Sequence, residues 1–454
     1  MEESDFFGIS GMDGSLCLEH LTDPALREQL QDECTEVECF VCGRRGSHED
    51  KPFAVEMDAL GAVVWEAANW LYSWTDSVDW FNGEPWSYET LYETPEVIYD
   101  TVEDSIDPVY AERVIDVLVA ATSATDYWVA SGRSSAETLG WDSFASTVRT
   151  EARFTLVGSS TRPGYEDEPP ARVAAFLESL LAYVESDLLV ELPVGSVLYR
   201  GRMAERASDL YARVKKEPSS ELGSAPSHLA EAGRLSARGI SMFYAADDLD
   251  IAVSEIALHS RYNEAVVGAF RTRRPLRILD FTRPLTTLPS IFATDGESRK
   301  RWVFARFKTH FTDMITAPVL LDGREALDYT PTQVVAEWLR WVPDTRIDGI
   351  AWPSHLAASA RPSSSGEIIF ARDENDPLRA EGKNVLLFFG HGPHFQSLPP
   401  TKTEMKRFSS IVPSLTLSFD DVSLHSVARA VTVTTLENDD WDDGEMVFPG
   451  LTIG

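Results

Sequence analysis

Five polar residues in the second half of the chain have types and settings suited to chemistry. Arg200 and Gly201 lie in "VLYRGRM", Arg234 and Tyr244 in "GRLSARGISMFY", Glu255 in "DDLDIAVSEIALH", and Ser354 closes "DGIAWPS". Arginines bind phosphate through bidentate, charge-assisted hydrogen bonds. A tyrosine offers a ring face to a heteroaromatic base. A lone acid where the helical pattern reads apolar is suited to stabilising a cation or orienting a hydroxyl. Gly201 would let the backbone approach a ligand. Together these residues are compatible with a dinucleotide whose cleavage passes through an oxocarbenium-like sugar. Taken singly, Arg200 and Arg234 read equally as surface or ion-pair residues and Ser354 as a turn cap. Glu255 facing Arg200 would be a structural pair.

A second cluster lies at the start of the chain. All four cysteines, Cys17, Cys34, Cys39 and Cys42, fall within its first tenth, which argues for reduced thiols or metal rather than a disulfide scaffold. "CTEVECFVCGRRGSH" supplies Cys34, Cys39, Cys42 and His48, and the Cys39-x2-Cys42 spacing is half of a zinc knuckle with Gly43 behind it. Cys34, Cys17 and His48 compete for the other half at loose spacing. The set suits a structural zinc ion, with unmetallated thiols as the alternative.

The elements that must position these groups differ between the two halves. With 454 residues, two domains are expected. Residues 1–194 hold 39 Asp and Glu against 10 Lys and Arg, a net of -29 within the total of -33, so the remainder carries -4. Such acidity repels phosphate backbones and anionic membranes, so neither nucleic acid nor membrane is expected as a partner. It reads as a solubility surface or as a face that docks a basic protein. The first half is mainly helical, with 3.6-residue periodicity in "MDALGAVVWEAANWLY", "PVYAERVIDVLVAATSA", "WDSFASTVRTEARFTL" and "PARVAAFLESLLAYVESDLLV". Seven of its tryptophans lie between Trp65 and Trp141 and read as core. These helices lack a basic, histidine-bearing face, which counts against an RNase.

After Pro193 short strands ("GSVLYRGRM", "ISMFYAA", "EAVVGAFRT", "LRILDF", "DGIAWPS", "GEIIFA", "KNVLLFF", "ARAVTVTTL") mix with helices around "SRKRWVFARFKTHFTDMI" and from "TPTQVVAEWLRWV". The fold class is therefore α+β, with no Gly-x-Gly-x-x-Gly or Walker loop. "EPSSELGSAP" (217–226) reads as a mobile loop. The expected organisation is an acidic, mainly helical domain over 1–190 with a Cys-rich start, a mixed-sheet domain over 191–435 and an acidic tail over 436–454. No apolar run reaches the ~20 residues of a membrane span. "MEESDFFGIS" lacks the features of a secretory signal, so a cytoplasmic protein is expected. The aromatic-rich first half suits a homodimer.

The order "VLYRGRM", "GRLSARGISMFYAADDLDIAVSEI", "YTPTQVVAEWLR", "DGIAWPS", "IIFA" resembles the RES domain of bacterial toxin–antitoxin modules. The first half, including "CFVCG", resembles the N-terminal region of longer RES proteins. The resemblance implies an α+β fold akin to ADP-ribosyltransferases and consumption of NAD as substrate. It implies cleavage of the nicotinamide–ribose bond by phosphorolysis or hydrolysis, or transfer of ADP-ribose to a protein, with growth arrest and an antitoxin partner. A non-catalytic nucleotide sensor that keeps the pocket is the competing expectation. By resemblance, Glu255 is the acid that stabilises the ribosyl cation, Arg200 and Arg234 clamp the pyrophosphate, Tyr244 orients the nicotinamide ribose, and Ser354 bonds a phosphate or the nicotinamide amide. Two departures stand out: Ser236-Ala237 replaces the family's Asn-Pro, and after Ser354 the chain runs into His355-Leu356 and the longer "SARPSSSG" loop.

Overall fold

A computed structural model describes residues 11–47, 51–74, 91–103, 105–121, 128–130, 140–155, 168–258, 260–284, 290–317, 325–354, 361–362, 368–369, 382–407 and 412–428. The chain divides into two compact units, Met1–Tyr183 with Leu285–Phe311, and Val184–Pro284 with Thr312–Gly454. The segment 285–311 thus lies in the second half of the sequence but in the first unit. The expected tail over 436–454 falls outside the described residues. Among the described residues no helix is long and apolar enough to cross a membrane.

The first unit combines the strands β1 (Ser15–Cys17), β2 (Cys34–Glu36) and β3 (Ala54–Glu56), in the order β1-β3-β2, with a group of helices. The helices are α1 (Pro24–Leu30), α2 (Met57–Leu71), α3 (Thr94–Val102), α4 (Ala111–Ala121), α5 (Gly140–Thr150) and α6 (Pro169–Tyr183). A second antiparallel pair joins β4 (Tyr72–Trp74) to β5 (Trp128–Ala130). The helical period is visible in what α2 buries, Met57, Leu60, Gly61, Val64, Trp65, Ala68 and Leu71. The tryptophan core expectation is met at Trp65 and Trp128, whose rings meet edge to face at 5.2 Å, and at the buried Trp141. The buried Trp128 Nε1–H is satisfied by Thr94 Oγ1 at 3.0 Å.

The second unit is built on one mixed sheet. Its elements in chain order are β6 (Leu189–Leu192), β7 (Val197–Ala204), α7 (Ala207–Val214), α8 (Pro218–Leu222), β8 (Phe243–Ala246), α9 (Leu249–Leu258), β9 (Glu264–Thr272) and β10 (Leu276–Asp280). Then follow α10 (Gly296–Thr316), which begins in the first unit, α11 (Glu325–Asp328), α12 (Thr330–Trp341) and β11 (Gly349–Pro353). The chain continues through β12 (Arg361–Pro362), β13 (Ile368–Ile369), β14 (Lys383–Leu387), β15 (Phe395–Leu398), α13 (Lys402–Arg407), β16 (Leu415–Ser418) and β17 (Val422–Ser426). Among the described residues ten strands form the sheet, in the order β15-β16-β9-β7-β8-β14-β11-β10-β6 with β17 also on β9. Among the described residues only β10/β11 and β15/β16 pair in parallel, so the α+β reading holds. Phe243, Phe270 and Phe395 pack ring to ring in the core of this unit.

Two expectations change. The helix predicted through 190 ends at Tyr183, and after a π-helical turn (Val184–Leu188) the chain becomes β6, antiparallel to β10. A free sheet edge captures an apolar stretch that local pattern assigns to helix. The segment 217–226 is no loose loop, because it contains α8, whose Pro218, Ser219 and Leu222 are buried. Its polarity is answered internally: the buried Glu404 accepts from Ser219 Oγ at 2.5 Å, Ser397 N at 2.9 Å and Thr401 N at 2.7 Å. The strand expected from "ARAVTVTTL" lies outside the described residues beyond 428, while β15, β16 and β17 are strands not anticipated from the sequence.

Candidate functional site

The site begins with register. Tyr199 on β7 pairs with Ala246 on β8, Ala246 with Asn384 on β14, and Asn384 with Trp352 on β11. Residues directly opposite one another share a face, so these four form one row across the sheet. All four line a single cavity of about 750 Å³, within the size range of small-molecule sites. Helix α9 covers the row. Asp248 caps its start, its Oδ1 accepting from Asp250 N at 2.8 Å and Ile251 N at 3.1 Å. Ala252, Glu255 and Ile256 then line the cavity one turn apart.

Gly201 lines the same cavity and also sets how closely the helix above it packs. A Cβ there would lie 2.8 Å from both Ile256 Cδ1 and Val267 Cγ2, so the glycine lets α9 approach β7 and thereby sets the height of Glu255 above the sheet.

Glu255 is held at one oxygen. Its Oε1 accepts from Ser354 Oγ at 2.8 Å and from Asn384 Nδ2 at 2.6 Å. Ser354, one residue beyond β11, is buried at 5% exposure and anchored by its N–H to Gly382 O at 3.2 Å. It sits behind the carboxylate and does not line the cavity. The Glu255–Arg200 ion pair is absent among the described residues.

The pairing of β7 with β8 stops at one residue pair, and beyond it Arg200 Nη1 donates to Tyr244 O at 2.6 Å. The guanidinium lies 5.1 Å from the centre of the Phe243 ring, and its buried Nε has no hydrogen-bond partner among the described residues. Burial, and then the nearby charge of Arg202, bring its pKa down to about 10, so it stays cationic at neutral pH. Arg234 donates from Nη1 to Ile315 O. Its loop is gripped from the start of α12, where Thr332 Oγ1 donates to Arg234 O and Gln333 Nε2 to Gly233 O at 2.8 Å. The "YTPTQ" stretch is therefore the buttress of the arginine loop.

Tyr244 completes the wall. Its hydroxyl meets Ser236 Oγ at 2.9 Å and accepts from Leu235 N at 3.3 Å. Burial raises its pKa despite these bonds, keeping it a neutral phenol. A Cβ at Gly233 would stand 2.7 Å from that hydroxyl, so only glycine fits there. Ser236, the departure from Asn-Pro, is thus a partner of Tyr244.

The structure brings Arg200, Arg234, Tyr244 and Glu255 to one cavity, with Ser354 bonded to Glu255 behind it. Sequence reasoning noted Tyr199 beside Arg200 without giving it a role, and missed Glu231, Arg238, Trp352 and Asn384. Arg238 was within reach of inspection, four residues after Arg234 in the same loop. Among the described residues Arg200, Arg234 and Arg238 form no ion pair, and the first two spend hydrogen bonds only on main-chain carbonyls. The cavity thus keeps positive charge available to an anion, with two acids beside it, the fixed Glu255 and the exposed Glu231.

The metal expectation needs correction. Cys39 and Cys42 gather with Cys17 and His20, not with Cys34. Cys34 Sγ donates instead to Leu30 O at 3.7 Å, since β2 carries it away from the knuckle turn. His48 lies outside the described residues.

Comparison with protein families matches residues 210–404 to the RES domain and residues 32–162 to HEPN/RES N-terminal domain 1. Arg234, Tyr244, Glu255, Ser354 and Asn384 lie within the first match, and Arg200 precedes it. No curated protein and no solved structure matches the chain. The motifs, their order and these two matches identify the chain as a RES-domain protein with the HEPN/RES N-terminal domain in front.

Proposed function

We propose that the cavity binds NAD and that Glu255 assists cleavage of its nicotinamide–ribose bond. The observation that carries this is one carboxylate, fixed through Oε1 by Ser354 and Asn384, sharing a cavity with three arginines that lack ion-pair partners among the described residues. NAD presents the complementary pattern, a pyrophosphate for the arginines and a cationic pyridinium ribose for the acid. The C1′–N bond breaks with its electron pair passing to the pyridinium nitrogen, and neutral nicotinamide leaves. The ribosyl cation left behind lies against Glu255, whose Oε1 is already occupied, so Oε2 meets the sugar. An oxygen of phosphate or water then bonds to C1′; water gives up its proton to solvent. Tyr199 and Tyr244 supply ring faces to the leaving base, and Arg200, Arg234 and Arg238 hold the phosphates.

A chain that consumes NAD arrests the cell in which it is active, the toxin-like role that RES membership implies. The test is incubation of purified protein with NAD, with and without phosphate, and mass spectrometry of the products. Nicotinamide with phosphorylated ADP-ribose means phosphorolysis; nicotinamide with free ADP-ribose means hydrolysis. NAD left intact by folded protein overturns the proposal.

A further inference from the structure

We propose that Cys17, His20, Cys39 and Cys42 hold one structural zinc ion in the first unit. The four residues form two pairs of equal spacing. Cys39-x2-Cys42 is the half-knuckle legible in the sequence, and Cys17-x2-His20, at the end of β1 and across the 3-10 turn Leu18–His20, mirrors it. The knuckle turn is closed by Gly43 N donating to Cys39 O at 2.9 Å, with Gly43 at φ +71°, a conformation that favours glycine.

The geometry is that of a coordination shell. One ligand atom from each residue lies within 4.8 Å of all the others. A tetrahedron with zinc–sulfur bonds of about 2.3 Å has edges of about 3.8 Å. Cys17 Sγ and Cys42 Sγ lie 3.9 Å apart, too far for a disulfide and close to that edge.

An independent observation comes from His20. The residue is 7% exposed, and its Nε2 is buried with no hydrogen-bond partner among the described residues. Buried ring nitrogens are ordinarily partnered, and a metal is the partner this setting supplies. The ring is fixed against Tyr110, centroids 4.3 Å apart. Cys39 Sγ also accepts from Cys17 N at 3.4 Å, an amide-to-sulfur bond that steadies a thiolate.

Four protein ligands fill a tetrahedral zinc and leave no position for a reacting water, so the ion is structural. Cys17 and Cys39 are buried and Cys42 is exposed, which gives the metal a route in. The strands it ties are three residues each, too short to hold one another unaided.

The test is metal analysis of the purified full chain, followed by replacement of the bound ion with cobalt(II). About one zinc per chain is expected, and the cobalt form should show the visible bands of a tetrahedral site with thiolate-to-metal charge transfer. His20→Ala and Cys42→Ser should each lower zinc content at least fivefold at about micromolar free zinc, whereas Cys34→Ser should retain it. Where His20→Ala or Cys42→Ser fails to fold, zinc titration of chelator-stripped wild type decides, with recovery of a melting transition at one equivalent expected. Folded wild type without stoichiometric zinc that also takes up no cobalt overturns the proposal. So does Cys34→Ser losing the metal as completely as Cys42→Ser.

Discussion

Glu255→Gln isolates the charge of the acid from its shape. The amide oxygen of glutamine can still accept from Ser354 Oγ and Asn384 Nδ2, which hold the carboxylate now at 2.8 and 2.6 Å, so orientation and fold should survive. What disappears is a negative charge beside a developing ribosyl cation. At about 4 Å and an effective dielectric of about 20, that attraction is worth ~4 kcal/mol, or roughly a thousandfold in rate. The pyridinium of bound NAD is already positive, so part of the attraction serves the ground state as well. The expected fall in kcat is therefore between about a hundredfold and a thousandfold, with KM changed only a few-fold. Glu231→Gln removes the other acid of the same cavity, an exposed one, and should lower kcat less than about threefold. Single-turnover release of nicotinamide, with melting temperatures of all three proteins, measures both effects. A loss of less than tenfold in a stably folded Glu255→Gln that still binds NAD would refute the role given to the acid, as would equal losses in the two variants.

Arg238 is exposed and makes no ion pair among the described residues, so Arg238→Ala should leave the melting temperature unchanged. It should raise KM for NAD about tenfold, with a weaker dependence on salt than wild type, as steady-state kinetics at two ionic strengths will show. Glu404 tests the buried network under α8. Burial alone would raise its pKa, but the bonds from Ser219, Thr401 and Ser397 outweigh that and hold the carboxyl below its usual range. Its stabilisation is thus present above the ordinary glutamate pKa of about 4.3 and lost as pH falls through the depressed value. Glu404→Ala, which strands those donors, should cost about 3 kcal/mol or more at pH 7, and denaturant titrations should show the gap to wild type narrowing as pH falls below the ordinary glutamate range.

What the sequence could reveal depended on how far apart the cooperating residues lie along it. The glycine-arginine loop and α9 sit in one continuous stretch, so Arg234, Tyr244 and Glu255 stood out by type and spacing. Trp352 and Asn384 are ordinary residues, and Tyr199 only a neighbour of Arg200, until β7, β8, β14 and β11 are laid side by side, and strand order is not written in any local pattern. Ser354 was visible as a hydroxyl at a strand end, but its service to Glu255 rather than to the cavity needed coordinates. His20 was concealed differently: Cys34 lay nearer to the knuckle in sequence, yet β1, running beside β3, brings Cys17 and His20 to it. The π turn after α6 shows the reverse failure, where a leucine-rich run satisfied the helical period and was taken by a sheet edge.

The strand carrying Asn384 is inserted between two strands completed earlier in the chain, β8 and β11. A ribosome therefore finishes Arg200, Arg234, Tyr244, Glu255 and Ser354 before the sheet that aligns them can close. Until β14 emerges, β8 and β11 have no bridge between them and Glu255 lacks the amide that holds it. On the proposed reading, fragments that stop before β14 are expected to be inert, because the row that fixes Glu255 is not yet assembled.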